Sequence, residues 1–403
     1  MADSLQTPRS RWLTRLVIFV GAIYVFLAAI ELFGHSFKML GESRADRLFC
    51  GLENPFAGLA VGIIATAILQ SSSATTSTVV AMVGAGSLSL TCAIPVIMGA
   101  NIGTSVTCAI VSLGHIAQNA AFRRAFSGAT VHGFINLLTV VVLLPLELIT
   151  ARLLPNGGIL ETAARWMVEH LPLESSGGTF KSPIKQAVKH FADGIETLFR
   201  EILQALGLID LPDSASGITG TAPGQSTLLA SLLALVALVM IVGSLIVITK
   251  NMKALMADQI EEWLNRVLTR SGLLGLIIGM VVTAVVQSSS ITTSLLIPMF
   301  GAGVLGLEAG FPIMLGANIG TTITALLAAA VAGPAGLTIA LVHTQFNLLG
   351  ALMFFPVKRV RQIPVFLAHQ LGAAAERNRL WVVLYMVSVF VLIPIAGILI
   401  WGK

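Results

Sequence analysis

Two short segments rich in polar side chains lie within apolar stretches of this chain. They read QSSSATTS at 70–77 and QSSSITTS at 287–294, and we call them the QSSS blocks. Their hydroxyl groups donate and accept hydrogen bonds, and each glutamine adds an amide oxygen and an NH2 group. A helix starting after each glutamine would direct free backbone N–H groups toward the block. Such blocks can hold an oxyanion through donors, or a hard cation such as sodium through oxygen atoms.

A second repeated segment, GANIGT, occurs at 99–104 and again at 316–321. Neither this segment nor the QSSS blocks contain Lys, Arg, Asp or Glu. A divalent anion bound there would lack a fixed counter-charge in a low-dielectric setting, which is costly. Because sodium ions bound beside the anion would lower that cost, the segments predict a site where anion and cation binding are coupled.

The chain around these segments has the composition of a polytopic membrane protein. Of its 403 residues, 11% are charged and 56% are hydrophobic, and the mean hydropathy is +0.90. Soluble proteins carry about 25% charged residues. Apolar runs long enough to cross a bilayer, about 20 residues each, lie at 12–33, 123–149, 227–249, 334–356 and 380–401.

The runs at 56–86 and 273–303 are interrupted by the QSSS blocks. Their arms of about 15 residues are too short to span a bilayer singly. Irregular polar backbone at membrane depth is tolerated only where it lines a cavity within the protein. We therefore expect two re-entrant helical hairpins whose tips carry the QSSS blocks and meet near the membrane midplane.

The two halves of the chain are copies of one unit. Residues 58–105 align with 275–322 without a gap, and 25 of the 48 aligned pairs are identical. A unit of helix, hairpin, helix and helix crosses the membrane three times, so its copy is inverted. Basic residues concentrate in the loops that this topology places in the cytoplasm together with the N-terminus. The fold class that follows is an all-α polytopic membrane protein with two inverted-topology repeats, each containing a re-entrant helical hairpin and a broken helix.

We divide the chain into four parts on this basis. They are a first inverted repeat at 1–150, an extracytoplasmic linker at 151–226, a second inverted repeat at 227–357, and an interfacial segment with a C-terminal transmembrane helix at 358–403. The linker contains apolar residues at helical spacing between 184 and 206, which predict an amphipathic helix. That helix would rest on the bilayer surface or on other helices. The segment 358–379 either lies along the interface or dips further in.

Several other residues favour structural roles. Glycine pairs four apart, such as Gly58 with Gly62 and Gly99 with Gly103, are common devices for close helix packing. His132 with Asn136, and His343 with Asn347, share a helical face in each repeat and suit interhelical hydrogen bonds. Nothing predicts a metal centre other than sodium, a cofactor, a nucleic-acid partner or an intramembrane enzyme, since no nucleophile-base pattern, phosphate-binding loop or metal-ligand spacing occurs.

The motifs resemble those of the type II sodium-dependent phosphate cotransporters. The stretches that carry the resemblance include QSSSATTSTVVAMVGAG, IPVIMGANIGTSVT and FRRAFSGATVHGFINLL in the first half, and QSSSITTS, LGANIGTTIT and HTQFNLLGAL in the second. The resemblance extends over residues 35–400. It implies import of inorganic phosphate driven by a sodium gradient, with the paired hairpins forming the substrate and sodium sites.

The resemblance also implies which residues bind. For phosphate, we expect Gln70, Ser71, Ser72, Ser73, Gln287, Ser288, Ser289 and Ser290. For sodium, we expect Gln70, Ser73, Thr75, Asn101, Thr104, Gln287, Ser290, Asn318, Thr321 and Thr324. The short linker, with neither cysteine nor glycosylation sequon, differs from the animal members and suggests a bacterial protein. Gly133 stands where electrogenic members carry Asp, which implies electroneutral transport with two sodium ions per divalent phosphate.

These inferences give a sodium:phosphate symporter that works by alternating access in the cell inner membrane. The alternative is an anion or cation channel whose paired hairpins form the filter, and a third reading keeps the same site in an efflux or regulatory role. The sequence leaves a homodimer open.

Overall fold

The computed structural model describes residues 8–40, 54–155, 157–170, 183–209, 223–267 and 272–401, and in this part of the chain the regular elements are helical. The helices of the first half are α1 (Pro8–Leu40), α2 (Pro55–Leu69), α3 (Ser72–Gly84), α4 (Leu90–Gly103), α5 (Ser105–Ser112) and α6 (Asn119–Thr150). Those that follow are α7 (Ile159–His170), α8 (Pro183–Ala205), α9 (Pro223–Val267), α10 (Gly272–Val286), α11 (Ser289–Ala302), α12 (Leu307–Phe354), α13 (Lys358–Arg377), α14 (Leu380–Val387) and α15 (Ile393–Trp401).

Six segments of the described residues are long and apolar enough to cross a membrane. They are Trp12–Leu40, Leu90–His115, Asn119–Thr150, Thr227–Leu255, Leu307–Phe354 and Leu380–Ile400. The helices α2, α10 and α11 are apolar but shorter. The prediction of an all-helical, multi-pass membrane protein is confirmed at this level.

The longest helix, α12, is interrupted at Gly333. This residue has φ 78° and ψ −171°, and Pro334 follows it, so α12 consists of two helices. An unbroken helix of 48 residues would be about 72 Å long, more than twice the hydrocarbon thickness of a bilayer. The break therefore allows the chain to cross twice.

In the first half, the helix is interrupted more mildly, between α4 and α5 at the end of the first GANIGT segment. Thr104, between α4 and α5, keeps helical angles of φ −57° and ψ −30°. Its backbone N–H still bonds to the Ala100 carbonyl at 3.2 Å. The hydrogen-bond ladder thus continues through this segment, and the first half of the chain turns only after His115.

Two helical hairpins, α2–α3 and α10–α11, are the central elements of the fold. The first arm of each packs against the helix that carries the GANIGT segment of the same half. A Cβ placed on Gly99 would overlap the Leu59 carbonyl, and one on Gly316 would overlap the Leu276 carbonyl. The backbones therefore approach so closely that only glycine fits, which confirms the packing role predicted for the glycines of these segments.

The open ends of the two hairpins have different neighbours. The end of α3 lies against the break in α12, since a Cβ on Gly84 would overlap the Ala332 carbonyl. The end of α11 lies against the turn between α5 and α6, where a Cβ on Gly301 would be 2.9 Å from the His115 ring. Arg124 holds that end by donating to the Gly301 carbonyl at 2.7 Å.

The linker helix α8 packs against α1, the second of the two placements considered for it. Tyr24 donates its hydroxyl to the Ala187 carbonyl at 2.9 Å. His35 lies eleven residues beyond Tyr24 on α1, and its Nδ1 is 2.8 Å from the Glu196 carboxylate on α8. The segment 358–379 forms α13, which packs on α6 so closely that a Cβ on Gly372 would overlap the Ser127 hydroxyl.

Candidate functional site

The two hairpin tips are built in the same way. Gln70 and Gln287 end the first arms with φ of 52° and 60°, and they are the non-glycine residues with positive φ in the described part of the chain. Ser71 and Ser288 then cap the second arms, accepting from Ala74 N at 3.1 Å and Ile291 N at 3.4 Å. A left-handed residue followed by a helix cap reverses the chain within two residues.

The glutamine side chains are fixed by matching partners. Gln70 Oε1 accepts from Thr107 at 3.1 Å, and Gln287 Oε1 accepts from Thr324 at 2.9 Å. Thr107 and Thr324 are related by the same offset of 217 that relates the two glutamines. Thr107 lies on α5 and Thr324 on α12, so each tip is tied to a helix of its own half.

The tips also contact each other. Ser73 donates its hydroxyl to the Gln287 carbonyl at 3.3 Å and lies 3.5 Å from the Thr324 hydroxyl. All three residues are buried. Together they gather hydroxyl, amide and carbonyl oxygens from both halves of the chain, a ligand chemistry that suits a hard monovalent cation.

A cavity of about 360 Å³ lies beside this cluster. Its polar lining comes from both tips and includes Gln70, Ser71, Gln287, Ser288 and Ser290. The two serine caps mark the N-termini of α3 and α11, where free N–H groups and the positive end of the helix dipole favour an anion. The cavity therefore combines anion donors with cation-binding oxygens.

The opposite wall of the cavity is formed by α9 and was not predicted. It consists of Val242, Leu245, Ile246, Thr249 and Lys250. Sequence reasoning expected a site without a fixed charge because the repeated segments contain none. Lys250 lies outside those segments, so the cavity has a cationic side chain in its lining after all.

The other expected binding residues fall into two groups. Ser72 and Ser289 are buried at the starts of α3 and α11 and are not lining residues of the cavity. Thr75, Thr104 and Thr321 direct their hydroxyls to nearby groups, namely Ser71 O at 3.2 Å, Ala100 O at 3.0 Å and Ala317 O at 2.9 Å.

Asn318 belongs to a buried network with the histidine face of α6. Its amide oxygen lies 2.6 Å from His132 Nε2, and its NH2 group donates to Asn136 at 2.7 Å. Asn136 in turn donates to the Asn101 carbonyl at 2.7 Å. The interhelical role expected of the histidine and asparagine pair in the first repeat is confirmed.

The mirrored network of the second half is not formed. Neither ring nitrogen of His343 has a hydrogen-bond partner among the described residues, although the ring is fully buried. Asn101 donates to Ile97 O at 2.9 Å, and Asn347 donates to His343 O at 3.3 Å. Equivalent residues of the two halves thus make different contacts.

Gly133 follows His132 on α6 and is buried. A Cβ at this position would lie 2.7 Å from the Tyr385 hydroxyl and 3.0 Å from the Ser105 hydroxyl. The position therefore faces two hydroxyl groups, next to the polar network.

Thr107 and Lys250 are among the lining residues that were missed from the sequence. Thr107 could have been found, because it pairs with Thr324 two columns beyond the ungapped alignment. Lys250 had no such signal, since it stands outside the repeated blocks. Among the described residues, no group of three or more His, Cys, Asp or Glu side chains is placed to hold a metal ion.

Comparison with known proteins identifies the family to which the chain belongs. The Na+/Pi-cotransporter family model matches residues 25–147 and 239–372. Sodium-dependent phosphate transport protein 2A of Rattus norvegicus is 34% identical, with 95% of this chain and 67% of that protein aligned. Sodium-dependent phosphate transport protein 2B of Homo sapiens is 31% identical, with 94% and 64% aligned.

The chain spans 64% of the length of several of these relatives, including the 2B protein of Pongo abelii. No solved structure matches it. Because the family model covers more than half of the residues and the relatives align over nearly the whole chain, this protein belongs to the Na+/Pi-cotransporter family.

Proposed function

We propose that the protein is a sodium-coupled symporter that imports inorganic phosphate. The observation that carries the proposal is the joining of the two tips, where Ser73 of the first hairpin bonds to Gln287 of the second beside one shared cavity. The relatives named as sodium-dependent phosphate transport proteins support the choice of ions.

The chemistry of the joint site explains coupling. The N-termini of α3 and α11 favour the phosphate oxygens, and the oxygens of Ser73, Gln287 and Thr324 suit sodium. A phosphate dianion and sodium ions that bind together lower each other's desolvation cost. The other residues that the sequence analysis assigned to phosphate or sodium binding are proposed to contribute to the same site.

The repeats are proposed to be inverted, with the hairpins entering from opposite sides. The helix through 90–115 starts a few residues after the open end of the first hairpin, and its far end at His115 contacts Gly301 at the open end of the second. The two hairpins thus open toward opposite ends of one membrane-spanning helix, which supports this topology. The proposal keeps the division of the chain into 1–150, 151–226, 227–357 and 358–403. In this topology the N-terminus lies in the cytoplasm and the protein lies in the cell inner membrane.

Alternating access accounts for the unequal networks of the two halves. In inverted repeats, exchanging the conformations of the two halves converts one facing state into the other. His132 is bonded to Asn318, whereas His343 has no hydrogen-bond partner among the described residues. We propose that the opposite-facing state reverses this, with His343 bonded to Asn101.

Transport is proposed to be electroneutral, because Gly133 supplies no charge beside the hydroxyls of Ser105 and Tyr385. Two sodium ions would then accompany each divalent phosphate. A potential imposed across sealed vesicles should leave the rate of uptake unchanged, and a strong response would contradict this part of the proposal.

The test of the shared site uses bulky substitutions in liposomes that contain the purified protein. Ser72→Trp and Ser289→Trp should each abolish sodium-dependent phosphate uptake, since both positions are buried at the tips. Gly243→Trp is the control, because nothing lies within 4 Å of a Cβ at that exposed position of α9. Wild-type uptake in both serine variants would refute the assignment.

A further inference from the structure

One lysine, Lys250, lies beside the two hairpin tips without belonging to the repeated segments. It lies on α9, which is not part of the aligned repeats, and it lines the cavity shared by the two tips. Among the described residues that line that cavity, it is the one that carries a charge. A lysine in such a position adds a full positive charge to a site otherwise made of dipoles.

No carboxylate neutralises this charge within the described residues. The ion pairs there join His35 and Arg200 to Glu196, Arg123 to Glu376, and Arg165 to Glu161. A cationic side chain without an acidic partner leaves its charge available to a mobile anion. Lys250 is itself exposed, and the apolar residues Leu245 and Ile246 line the cavity beside it on α9.

The cavity places this ammonium group with two further sources of positive potential. Ser71 and Ser288, which cap the N-termini of α3 and α11, line the same space. An anion in the cavity would therefore meet two helix N-termini from the hairpins and one ammonium from α9. A tetrahedral oxyanion has enough oxygens to accept from all three, because lysine acts as a compact point charge with three donors.

We propose that Lys250 binds the transported phosphate, supplying the fixed counter-charge that the repeated blocks lack. This inference rests on the proposed function. It also assigns the ions to different groups, because the ammonium attracts phosphate and repels sodium. Neutralising Lys250 should therefore weaken phosphate binding even when sodium is saturating.

The matched control is Lys253, one helical turn further along α9. Both lysines are exposed, but Lys253 is not among the residues that line the cavity. Lys250→Gln and Lys253→Gln remove the same charge from the same helix, so a general electrostatic effect would appear in both. Lys250→Arg keeps the charge and should retain function.

The experiment measures equilibrium binding of radiolabelled inorganic phosphate to the purified full-length chain in saturating sodium chloride. Losing a hydrogen bond to a charged group corresponds to about ten- to a hundredfold in affinity, which is the loss expected for Lys250→Gln. Lys250→Arg should remain within about threefold of wild type on the same scale, and Lys253→Gln should be unchanged. Wild-type affinity in Lys250→Gln, or equal losses in the two glutamine variants, would overturn the assignment.

A second measurement uses the wild-type protein and does not depend on a variant that folds. An amine-reactive reagent is applied in sodium chloride with and without phosphate, and labelling at each lysine is followed by mass spectrometry. Phosphate should slow labelling of Lys250 and leave Lys253 unaffected, and equal rates with and without phosphate would refute the inference. If the wild-type chain binds no phosphate at all, the proposed function itself fails.

Discussion

The contacts of Asn318 allow the proposed exchange between the two halves to be tested quantitatively. Asn318→Ala removes two buried hydrogen bonds, to His132 at 2.6 Å and to Asn136 at 2.7 Å. Interhelical hydrogen bonds in membranes contribute about 0.6 kcal/mol on average and up to about 1.7 kcal/mol. The conformation described here should therefore lose about 1–3 kcal/mol relative to its alternative, which is a shift of about 5- to 150-fold in the equilibrium.

Asn101→Ala provides the matched change in the other half. Within the described part of the chain, the Asn101 side chain bonds to Ile97 O on its own helix and to no other helix, so its loss leaves the interhelical network in place. The substitution instead removes the expected partner of His343 in the opposite-facing state. The two variants should shift the population in opposite directions.

The assay is the rate at which a membrane-impermeant thiol reagent labels Thr249→Cys, a cavity-wall position. The background chain lacks its three native cysteines, Cys50, Cys92 and Cys108. Asn318→Ala should lower the labelling rate from the side to which this cavity opens, and Asn101→Ala should not. A fall of the same size in both variants, or no fall in either, would refute the exchange.

Three further predictions concern packing, charge and sodium binding. Gly316→Val should destabilise the fold by at least about 3 kcal/mol, because the new side chain meets backbone rather than a movable side chain. Thermal unfolding in detergent measures this loss of stability, and Gly243→Val at an exposed position is a control that should change little. Gly133→Asp should make uptake respond to membrane potential, since it adds a charge facing the hydroxyls of Ser105 and Tyr385, and voltage-independent uptake in this variant would count against the role of the position. Thr324→Ala should raise the sodium concentration for half-maximal uptake by about fivefold, the equivalent of one hydrogen bond of about 1 kcal/mol. An unchanged sodium requirement would show that the hydrogen bond between Thr324 and Gln287 does not contribute to sodium binding.

The hairpins and their tips could be predicted because few environments accept such sequences. Hydroxyl-rich segments within apolar arms too short to span must turn inside the protein. The close approach of the arms to the GANIGT helices could likewise be predicted, because glycines four apart in apolar helices indicate close helix packing. The left-handed conformation of Gln70 and Gln287 carried no sequence signal, since glycine is the usual residue there.

The rest of the site depends on tertiary structure. Lys250 reaches the cavity because α9 packs beside both tips, and no local pattern at residue 250 indicates that neighbour. The difference between His132 and His343 is also invisible in the sequence, because both occur in closely similar segments. Only the packing of one particular conformation makes their contacts unequal.

The most direct test of the central claim is accumulation of phosphate against its own gradient. Liposomes containing the purified chain are given an inward sodium gradient, and internal radiolabelled phosphate is compared with the external concentration. The account predicts that internal phosphate rises above the external level, and that an ionophore which collapses the sodium gradient abolishes the excess. Phosphate that only equilibrates with the bath, at a rate independent of sodium, would contradict symport and indicate a channel.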